Sequence, residues 1–258
     1  MAVGIFNVVF EWEKKIAEGI SHLAFRKEDQ TEFEFEPGQF ITFLFGEGKE
    51  LKRRSYSVAS IPTSSNPLAK VKLIEMVVSY IPGGFASEIL FNLKPGQVLK
   101  AMGPVGRLVL KAEEPKCAAG KISRLILIGT GTGIGPYRSM LPSLMNHVKN
   151  SEGKASVQII LGVRTQRETM FKTDFEAFTV QHPHFKFQIC YSREKQENLR
   201  ENEYLGYVQD SFPRLSLNPA QDIVYLCGNP HMIDDSFETL KELGFEIGVL
   251  RRLTFYKS

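Results

Sequence analysis

The chain of 258 residues lacks the features that mark several large classes of protein. Its three cysteines, Cys117, Cys190 and Cys227, lie far apart and are odd in number. They do not fit a disulfide framework or a zinc site, and they cannot supply the four ligands of an iron–sulfur cluster. No apolar run approaches the ~20 residues that cross a bilayer, and the first residues show no secretory signal pattern. We therefore expect a cytoplasmic protein with no membrane segment.

The mild charge and the scattered histidines exclude two further classes. The formal net charge is +3, which is too small to indicate a nucleic-acid partner. Among the histidines only His182 and His184 are close together, on either side of Pro183 in a predicted loop. A solvated loop explains this pair better than a metal site does. We expect no bound metal, no nucleic acid and a monomeric chain.

Residues 1–115 are predicted to form an antiparallel β-barrel or sandwich. Short runs rich in β-branched and aromatic residues recur between turns that contain glycine and proline, a spacing typical of these folds. A helical turn is predicted over Ser87–Leu93, capped by Ser87 and with Leu90 facing inward. The predicted strands are Ile20–Phe25, Phe40–Phe45, Tyr56–Ala59, Val71–Tyr80, Val98–Met102 and Arg107–Leu110.

Residues 121–258 are predicted to form a Rossmann-like α/β domain, after a linker at Glu113–Lys121. Strands and helices alternate along this half of the chain, a pattern that indicates a parallel sheet with helices on both faces. The predicted strands are Leu125–Ile128, Val157–Leu161, Phe185–Tyr191 and Ile223–Cys227. The predicted helices are Tyr137–His147, Thr173–Val180 and Pro230–Leu243, and a last run covers Gly248–Tyr256.

The segment from Gly129 to Pro136 has the order strand, glycine-rich turn, helix. Glycines let the backbone approach a ligand closely, and a helix start offers unpaired N–H groups, so this glycine corner suits a phosphate. It matches neither common fingerprint, because Pro136 replaces the third glycine of G-x-G-x-x-G and no Gly-Lys-Ser/Thr follows. A tight turn that binds nothing is an open alternative. The candidate binding residues are Gly129, Thr130, Gly131, Thr132 and Gly133.

The segment Arg54-Ser55-Tyr56-Ser57 carries side chains suited to a ligand with a phosphate and a planar ring. Arginine can clamp a phosphate, and tyrosine can lie flat on a ring. In a strand, Arg54 and Tyr56 point to one face and Ser57 to the other. The structural alternative is an edge strand with a surface arginine.

Two further turns are candidates for the same reasons. Gly84-Phe85-Ala86-Ser87 joins a flexible loop to a predicted helix start, whose N–H groups suit a second phosphate. The segment Cys227–Met232 follows a strand and opens a helix, at the same edge of the sheet as the glycine corner. Ordinary helix capping and a turn with a buried thiol are the structural alternatives.

In combination these segments resemble the ferredoxin–NADP+ reductase family over nearly the whole chain. The family pattern of Arg-x-Tyr-Ser, Gly-x-x-Ser, Gly-Thr-Gly-Thr-Gly and Cys-Gly occurs in that order. Two turns, Pro37–Phe40 and Gly103–Gly106, also look like those of the family's flavin domain. The resemblance implies an antiparallel β-barrel that binds FAD and an α/β domain that binds NADP(H). FMN in place of FAD is an open alternative.

The resemblance also implies roles for particular residues. Arg54 and the Gly84–Ser87 loop would hold the FAD pyrophosphate, Tyr56 would stack on the isoalloxazine, and Ser57 would hydrogen-bond near flavin N5. The glycine corner would lie between the flavin and the dinucleotide phosphates. Cys227 would lie beside the nicotinamide, with Gly228 and Met232 among the binding residues.

The ends of two strands predict a preference for NADPH. NAD-preferring Rossmann sites place an acid after the second strand, whereas here that strand ends in Arg164. Ser192 and Arg193, after the third strand, suit a 2′-phosphate that a carboxylate would repel. The resemblance implies that Tyr207 stacks on the adenine. A solvated surface loop is the open alternative.

The carboxyl terminus departs from the family pattern. Plastid-type members end with a tyrosine on the free flavin face and a glutamate two positions earlier. Here Tyr256 is followed by two residues, and Thr254 stands at the glutamate position. Either Phe255 or Tyr256 could cover the flavin. We favour Tyr256, as a gate that moves aside for the nicotinamide.

The activity implied is hydride transfer between NADP(H) and flavin N5, with single electrons exchanged with ferredoxin or flavodoxin. Ser57, Cys227 and Tyr256 would be the catalytic residues, and neither Ser57 nor Cys227 would act as a nucleophile. Such a carrier is acidic, so a positive rim would steer it. The alternatives are a flavin reductase, an oxygenase reductase component and a non-catalytic dinucleotide-binding module. The candidate rim residues are Lys52, Arg53, Arg251 and Arg252.

Overall fold

A computed structural model describes residues 3–64, 68–110, 124–195 and 199–246, together with the backbone of 250–254. The described chain divides into two compact units. The first unit contains residues 3–110 and 135–143, and the second contains 124–134 and 144–254. The predicted linker Glu113–Lys121 lies outside the described residues, so the predicted boundary stays a prediction. None of the described helices combines the length and apolar character of a membrane span.

The first unit is built on a six-stranded antiparallel sheet in the order β5-β4-β8-β1-β2-β7, with β3 and β6 forming a separate pair. Strands β5 and β7, which end this order, contact each other, and the sheet thereby curls into the predicted barrel. A 3-10 turn covers Gly48–Glu50 and helix α1 covers Phe85–Leu90. The strands are β1 Gly4–Ala17, β2 Ile20–Lys27, β3 Phe33–Phe35, β4 Phe40–Phe45, β5 Lys52–Ser57, β6 Ala69–Val71, β7 Ile74–Ser79 and β8 Val98–Val105.

Alternating residues of these strands fill the barrel with aromatic and aliphatic side chains. Phe25 lies at the centre, with its ring centroid 5.4 Å from that of Phe10 and 5.1 Å from that of Phe43. Leu90 of α1 is fully buried against the same core, as predicted. Burial of these side chains gives the sheet its stability, since each stabilises the fold by ~1.5–3 kcal/mol.

Several expectations for this unit were wrong in detail. Strand β1 was not predicted, because its second half is rich in charged residues that hide the strand pattern. The predicted strand Val71–Tyr80 is interrupted after Val71, so β6 and β7 are separate. Of the predicted strand Tyr56–Ala59 only the first two residues are in a strand, where they end β5, and Arg107–Leu110 is irregular. Helix α1 starts two residues before Ser87 with Gly84 as its cap.

The second unit is a six-stranded parallel sheet in the order β12-β11-β10-β9-β13-β14. Its strands are β9 Arg124–Thr130, β10 Ser156–Val163, β11 Phe185–Tyr191, β12 Glu203–Leu205, β13 Asp222–Gly228 and β14 Leu250–Thr254. The helices are α2 Gly135–Asn150, whose first nine residues belong to the first unit, α3 Lys172–Gln181, α4 Phe212–Leu215 and α5 Pro230–Glu242. The 3-10 turns are Gly131–Ile134, Gln166–Glu168 and Val208–Ser211.

Helices cover both faces of this sheet, as predicted. Met232 and Leu240 of α5 pack with Ile126 and Ile128 on one face of β9. On the other face Phe175 of α3 stacks on Phe187 of β11, with ring centroids 5.1 Å apart. The predicted strands and helices are present with small shifts at their ends. The short elements β12 and α4 were not predicted.

The strand order reverses at β9, because the chain passes from β9 to β10 on one side while β13 lies on the other. Open α/β sheets bind ligands outside the carboxyl ends of their strands at such a switch point. Thr130 and Gly228 end the two strands concerned. The prediction that the glycine corner and the Cys227–Met232 turn share one sheet edge is therefore confirmed.

Candidate functional site

The backbones of the glycine corner and of the turn after β13 are in close contact. A Cβ on Gly133 would lie 2.2 Å from the Cys227 carbonyl oxygen. A Cβ on Gly228, whose φ is +130°, would lie 2.5 Å from the Thr130 carbonyl oxygen. The Asn229 N–H donates to the Thr130 hydroxyl at 2.9 Å. Only glycine fits at these two positions, and the result is a crevice edge made of bare backbone.

Cys227 and Met232 are buried beside this crevice edge. Burial raises the pKa of the Cys227 thiol well above its ordinary value, so the thiol is neutral at physiological pH and unsuited to nucleophilic attack. Met232 packs in the core, where its sulfur accepts a hydrogen bond from Ser236 at 3.6 Å. Its side chain therefore contributes more to the packing of α5 than to an open binding surface.

Backbone hydrogen bonds place the ends of β10 and β11 side by side. The N–H groups of Ser192 and Arg193 donate to the carbonyls of Val163 and Arg164, at 3.0 and 2.8 Å. Arg164, Ser192 and Arg193 therefore lie at one edge of the sheet, and their role in binding a 2′-phosphate stays a prediction. Arg193 is exposed, whereas Arg164 forms an ion pair with Glu168 at 2.5 Å. Arg193 is thus the better placed of the two cations to receive an anion.

Tyr207 reaches the same cluster through its neighbour Gly206, whose N–H donates to the Tyr191 carbonyl at 2.9 Å. The Tyr207 ring is 65% exposed, so a flat face is open to a ligand. Two residues later, the side-chain amide oxygen Oε1 of Gln209 is buried without a hydrogen-bond partner in the described part of the chain. Buried polar atoms are normally paired. Gln209 is a candidate that the sequence analysis did not single out, and only its position next to Tyr207 signalled it.

In the first unit, β5 places Arg54 and Tyr56 on one face, as predicted. Burial raises the pKa of Tyr56 to about 12, although the nearby Arg54 charge acts in the opposite direction. The phenol therefore stays neutral. The Tyr56 ring packs against Phe43, with centroids 5.7 Å apart. Packing on one side fixes the ring, which is the arrangement that stacking on a planar ligand requires.

The hydroxyls of Ser55 and Ser57 differ in their hydrogen bonding. Ser55 shares a 2.9 Å hydrogen bond with Thr42. The Ser57 hydroxyl is buried, and among the described residues it has no hydrogen-bond partner. Leaving a buried hydroxyl unpaired costs about 1–3 kcal/mol. A group that accepts or donates at this point would remove that cost, so Ser57 is a candidate binding residue.

The start of α1 lies beside the same strand. The Lys52 ammonium is 4.3 Å from the centroid of the Phe85 ring. The first helical hydrogen bond runs from Glu88 N–H to the Gly84 carbonyl, so the amides of Phe85, Ala86 and Ser87 precede it. Ser87 was predicted as the cap, which is wrong. Its hydroxyl accepts a hydrogen bond from the Ile81 N–H at 3.0 Å instead, and so fixes the turn before the helix.

The remaining predicted residues are in the carboxyl-terminal segment. Tyr256 and Phe255 lie outside the described residues, so their role as a gate stays a prediction. Arg251, Arg252 and Thr254 belong to β14, in which Thr254 pairs with Gly228. No group of three or more metal-ligating side chains occurs in the described ranges.

Comparisons with known proteins identify the class of each unit. Residues 8–110 match the model of the oxidoreductase FAD-binding domain, and residues 127–237 match that of the oxidoreductase NAD-binding domain. The unpaired Ser57 hydroxyl and the bare glycine crevice fit an aromatic cofactor and a dinucleotide respectively. The protein is therefore a flavoprotein oxidoreductase that uses FAD and a pyridine nucleotide.

One relative shows the family of the chain, and a second relative and a solved structure are also similar to it. Ferredoxin–NADP reductase B of Sorangium cellulosum is 30% identical over 90% of this chain and 88% of its own length. The toluate 1,2-dioxygenase electron transfer component of Pseudomonas putida is 24% identical over 90% of this chain and 62% of its own. A ferredoxin NADP+ reductase from Neisseria gonorrhoeae, solved with bound FAD and NADP, shares the fold. Its TM-score is 0.76 at 20% identity, and the match covers 98% of this chain and 99% of that one. The chain belongs to the ferredoxin–NADP reductase family.

Proposed function

We propose that this protein exchanges a hydride between NADP(H) and FAD, and single electrons with a ferredoxin or flavodoxin. The observation that carries the proposal is the buried, unpaired hydroxyl of Ser57, next to the neutral Tyr56 ring at the end of β5. Tyr56, Ser57 and Cys227 together favour an enzyme over a module that only binds a dinucleotide, because such a module does not need all three. Bound FAD would supply the hydride-accepting and one-electron chemistry.

The first unit would bind and orient the flavin. Arg54 and the amides that start α1 suit the pyrophosphate, because both favour anions. Tyr56 would stack on the ring system, and its pKa of about 12 keeps it uncharged there. Ser57 would fix the reacting edge through the hydrogen bond that its hydroxyl otherwise lacks.

The second unit would deliver the nicotinamide. Its crevice of backbone groups admits a pyrophosphate closely, since Gly133 and Gly228 carry no side chains there. Cys227, a neutral and buried thiol, would contribute shape rather than charge beside the nicotinamide. Tyr256 would close over the flavin and exclude water until the nicotinamide enters.

The preference for NADP(H) is inferred from Ser192, Arg193 and Tyr207. Hydrogen-bonded strand ends support their grouping, and the exposed Arg193 suits a 2′-phosphate. Glu168 partly neutralises the positive charge at these strand ends, because it forms an ion pair with Arg164. Arg193 would therefore carry most of the discrimination between NADPH and NADH.

An acidic carrier protein is the proposed electron partner. The ferredoxin–NADP reductase relative, which spans nearly the same length, supports this choice. Lys52 and Arg53 are exposed at the β4–β5 edge of the first unit, where they would steer such a carrier. Arg251 and Arg252 are further candidates. We place the protein in the cytoplasm as a monomer.

A second candidate function is that of an oxygenase reductase component or a flavin reductase. The similarity to the toluate 1,2-dioxygenase electron transfer component favours it. This chain covers 62% of that relative, so the likeness extends to only part of its length.

Cytochrome c reduction separates the two candidates. NADPH and purified protein are mixed with cytochrome c, with and without added ferredoxin or flavodoxin. A carrier reductase reduces cytochrome c rapidly only when the carrier is present, and the rate falls as salt is raised. Rapid reduction with free flavin alone, unaffected by either carrier, would contradict the proposal and favour a flavin reductase.

A further inference from the structure

The side chain of Arg138 forms two hydrogen bonds within the first unit. One nitrogen, Nη1, donates to the Ala59 carbonyl at 2.6 Å and to the Glu75 carboxylate at 2.7 Å. The arginine side chain is only 12% exposed. A guanidinium that bridges a carbonyl and a carboxylate in partial burial is a strong, oriented contact. It joins the beginning of α2 to the chain that follows β5.

That chain segment holds the unpaired hydroxyl described above. Ala59 comes two residues after Ser57, and its N–H donates to the Glu75 backbone carbonyl at 2.7 Å. Val58 between them donates to the Gln39 carbonyl at 3.0 Å. With Arg138, both the N–H and the carbonyl group of Ala59 are therefore held by hydrogen bonds.

Glu75 makes the contribution of Arg138 difficult to replace. Burial would raise the pKa of Glu75, but hydrogen bonds from His22 and Arg138 and the Arg138 charge outweigh burial, and the pKa is lowered. His22 Nε2 lies 3.0 Å from the same carboxylate oxygen that Arg138 contacts. If Arg138 lost its guanidinium, a partly buried carboxylate would lose its permanent cation. The segment after Ser57 would then lose one of its anchors.

We propose that Arg138 is a positioning residue for the Ser57 hydroxyl. It acts through the Ala59 carbonyl and holds the end of β5 in the conformation that presents Ser57 to the flavin. The inference rests on the proposed function, because it assigns a role toward the same bound flavin. A residue that served only to anchor α2 would affect stability without acting through Ser57.

A double-mutant cycle tests this link. Arg138→Met and Ser57→Ala are compared singly and together for the rate of flavin reduction by saturating NADPH under anaerobic conditions. We expect Arg138→Met alone to slow reduction ~10-fold, and Arg138→Lys, which keeps a cation, to slow it less. In the Ser57→Ala background Arg138→Met should slow flavin reduction by less than a further ~2-fold, because the effects of mutations at interacting residues do not add. Equal slowing in both backgrounds would overturn the proposal.

Amide hydrogen exchange in the flavin-free protein supplies a second measurement. Arg138→Met should speed exchange at Val58 and Ala59 at least ~5-fold while the rest of the barrel stays protected. The matched control is Arg26→Met, which removes a partly exposed ion pair with Glu11 in the same unit and should change neither exchange nor rate. Unchanged exchange at both amides would overturn the proposal.

The outcomes separate this inference from the proposed function. A wild-type protein that NADPH does not reduce contradicts the proposed function, while the exchange experiment still tests the anchor at Ala59. If Arg138→Met does not fold, Arg138→Lys carries the cycle, with the same expected loss of effect in the Ser57→Ala background.

Discussion

The candidate sites of the two units use different parts of the chain to meet a ligand. In the first unit side chains carry the site: a buried unpaired hydroxyl at Ser57 and a neutral, packed ring at Tyr56. In the second unit the backbone carries it, because Gly133 and Gly228 bring two loops into contact. Thr130 there already accepts a hydrogen bond from Asn229. We propose that the first site holds the FAD and that the second admits the nicotinamide nucleotide.

The difference predicts separable mutational effects. Substitutions in the first unit should change the reactivity of a flavin that remains bound. Substitutions in the second unit should change the binding of the nucleotide and leave the flavin spectrum intact.

Gly133→Ala should have the largest effect. Its Cβ would lie 2.2 Å from the Cys227 carbonyl, so the two loops must separate, and strain of this kind costs a few kcal/mol. We expect reduction by NADPH to fall at least ~100-fold, with the flavin retained in a yellow protein. Gly131→Ala is the comparison, because a Cβ there would meet nothing within 4 Å. Its positive φ should lower the stability of the protein by only about 1 kcal/mol, and reduction by NADPH should fall much less than in Gly133→Ala. Similar losses in both variants would contradict the contact between the loops.

Ser57→Ala should slow flavin reduction ~10- to 100-fold without weakening the fold. Removing a buried hydroxyl that has no partner is neutral or stabilising in the flavin-free protein. Thermal unfolding of that form should therefore show an unchanged or slightly higher Tm. Ser55→Ala, which removes a hydroxyl bonded to Thr42, is the control and should leave the reduction rate alone. A lower Tm for Ser57→Ala would show that its hydroxyl has a partner after all.

Arg193→Ala should raise KM for NADPH ~10-fold and leave KM for NADH nearly unchanged, because only NADPH carries the 2′-phosphate. Lys154→Ala removes an exposed cation elsewhere in the second unit and should change neither constant. Steady-state kinetics with both nucleotides measure the effect. Equal increases in the two KM values would refute the assignment of Arg193.

Glu75→Gln should have the smallest effect, a loss of stability at neutral pH that disappears in acid. The pKa of Glu75 is lowered below its ordinary 4.5, so its ionised form stabilises the fold. That contribution is present above pH 4.5 and is lost as the pH falls through the lowered pKa. Wild-type stability should therefore fall more steeply below pH 4.5 than that of the variant, in urea titrations at several pH values. The control is Glu47→Gln, because the Glu47 side chain is 90% exposed. This variant should not alter the dependence of stability on pH.

The sequence predicted the elements whose local pattern is strong and missed those that depend on distant partners. The glycine corner, the parallel strands and their shared edge followed from hydrophobic runs and turn residues. Strand β1 escaped because charged residues obscure its alternation, and Ser87 was misassigned because a serine near a helix start resembles a cap. The unpaired state of Ser57 depends on its whole environment. Arg138 and Glu75 are 63 residues apart, and no pattern in one sequence links them.

Anaerobic titration of the purified yellow protein with NADPH, followed at the flavin absorbance, measures hydride transfer from the nucleotide to the flavin. We expect about one equivalent of NADPH to bleach the flavin, whereas NADH should require a much higher concentration. Extraction of the cofactor beforehand should give FAD. A colourless protein, or a flavin that NADPH leaves oxidised, would contradict the account.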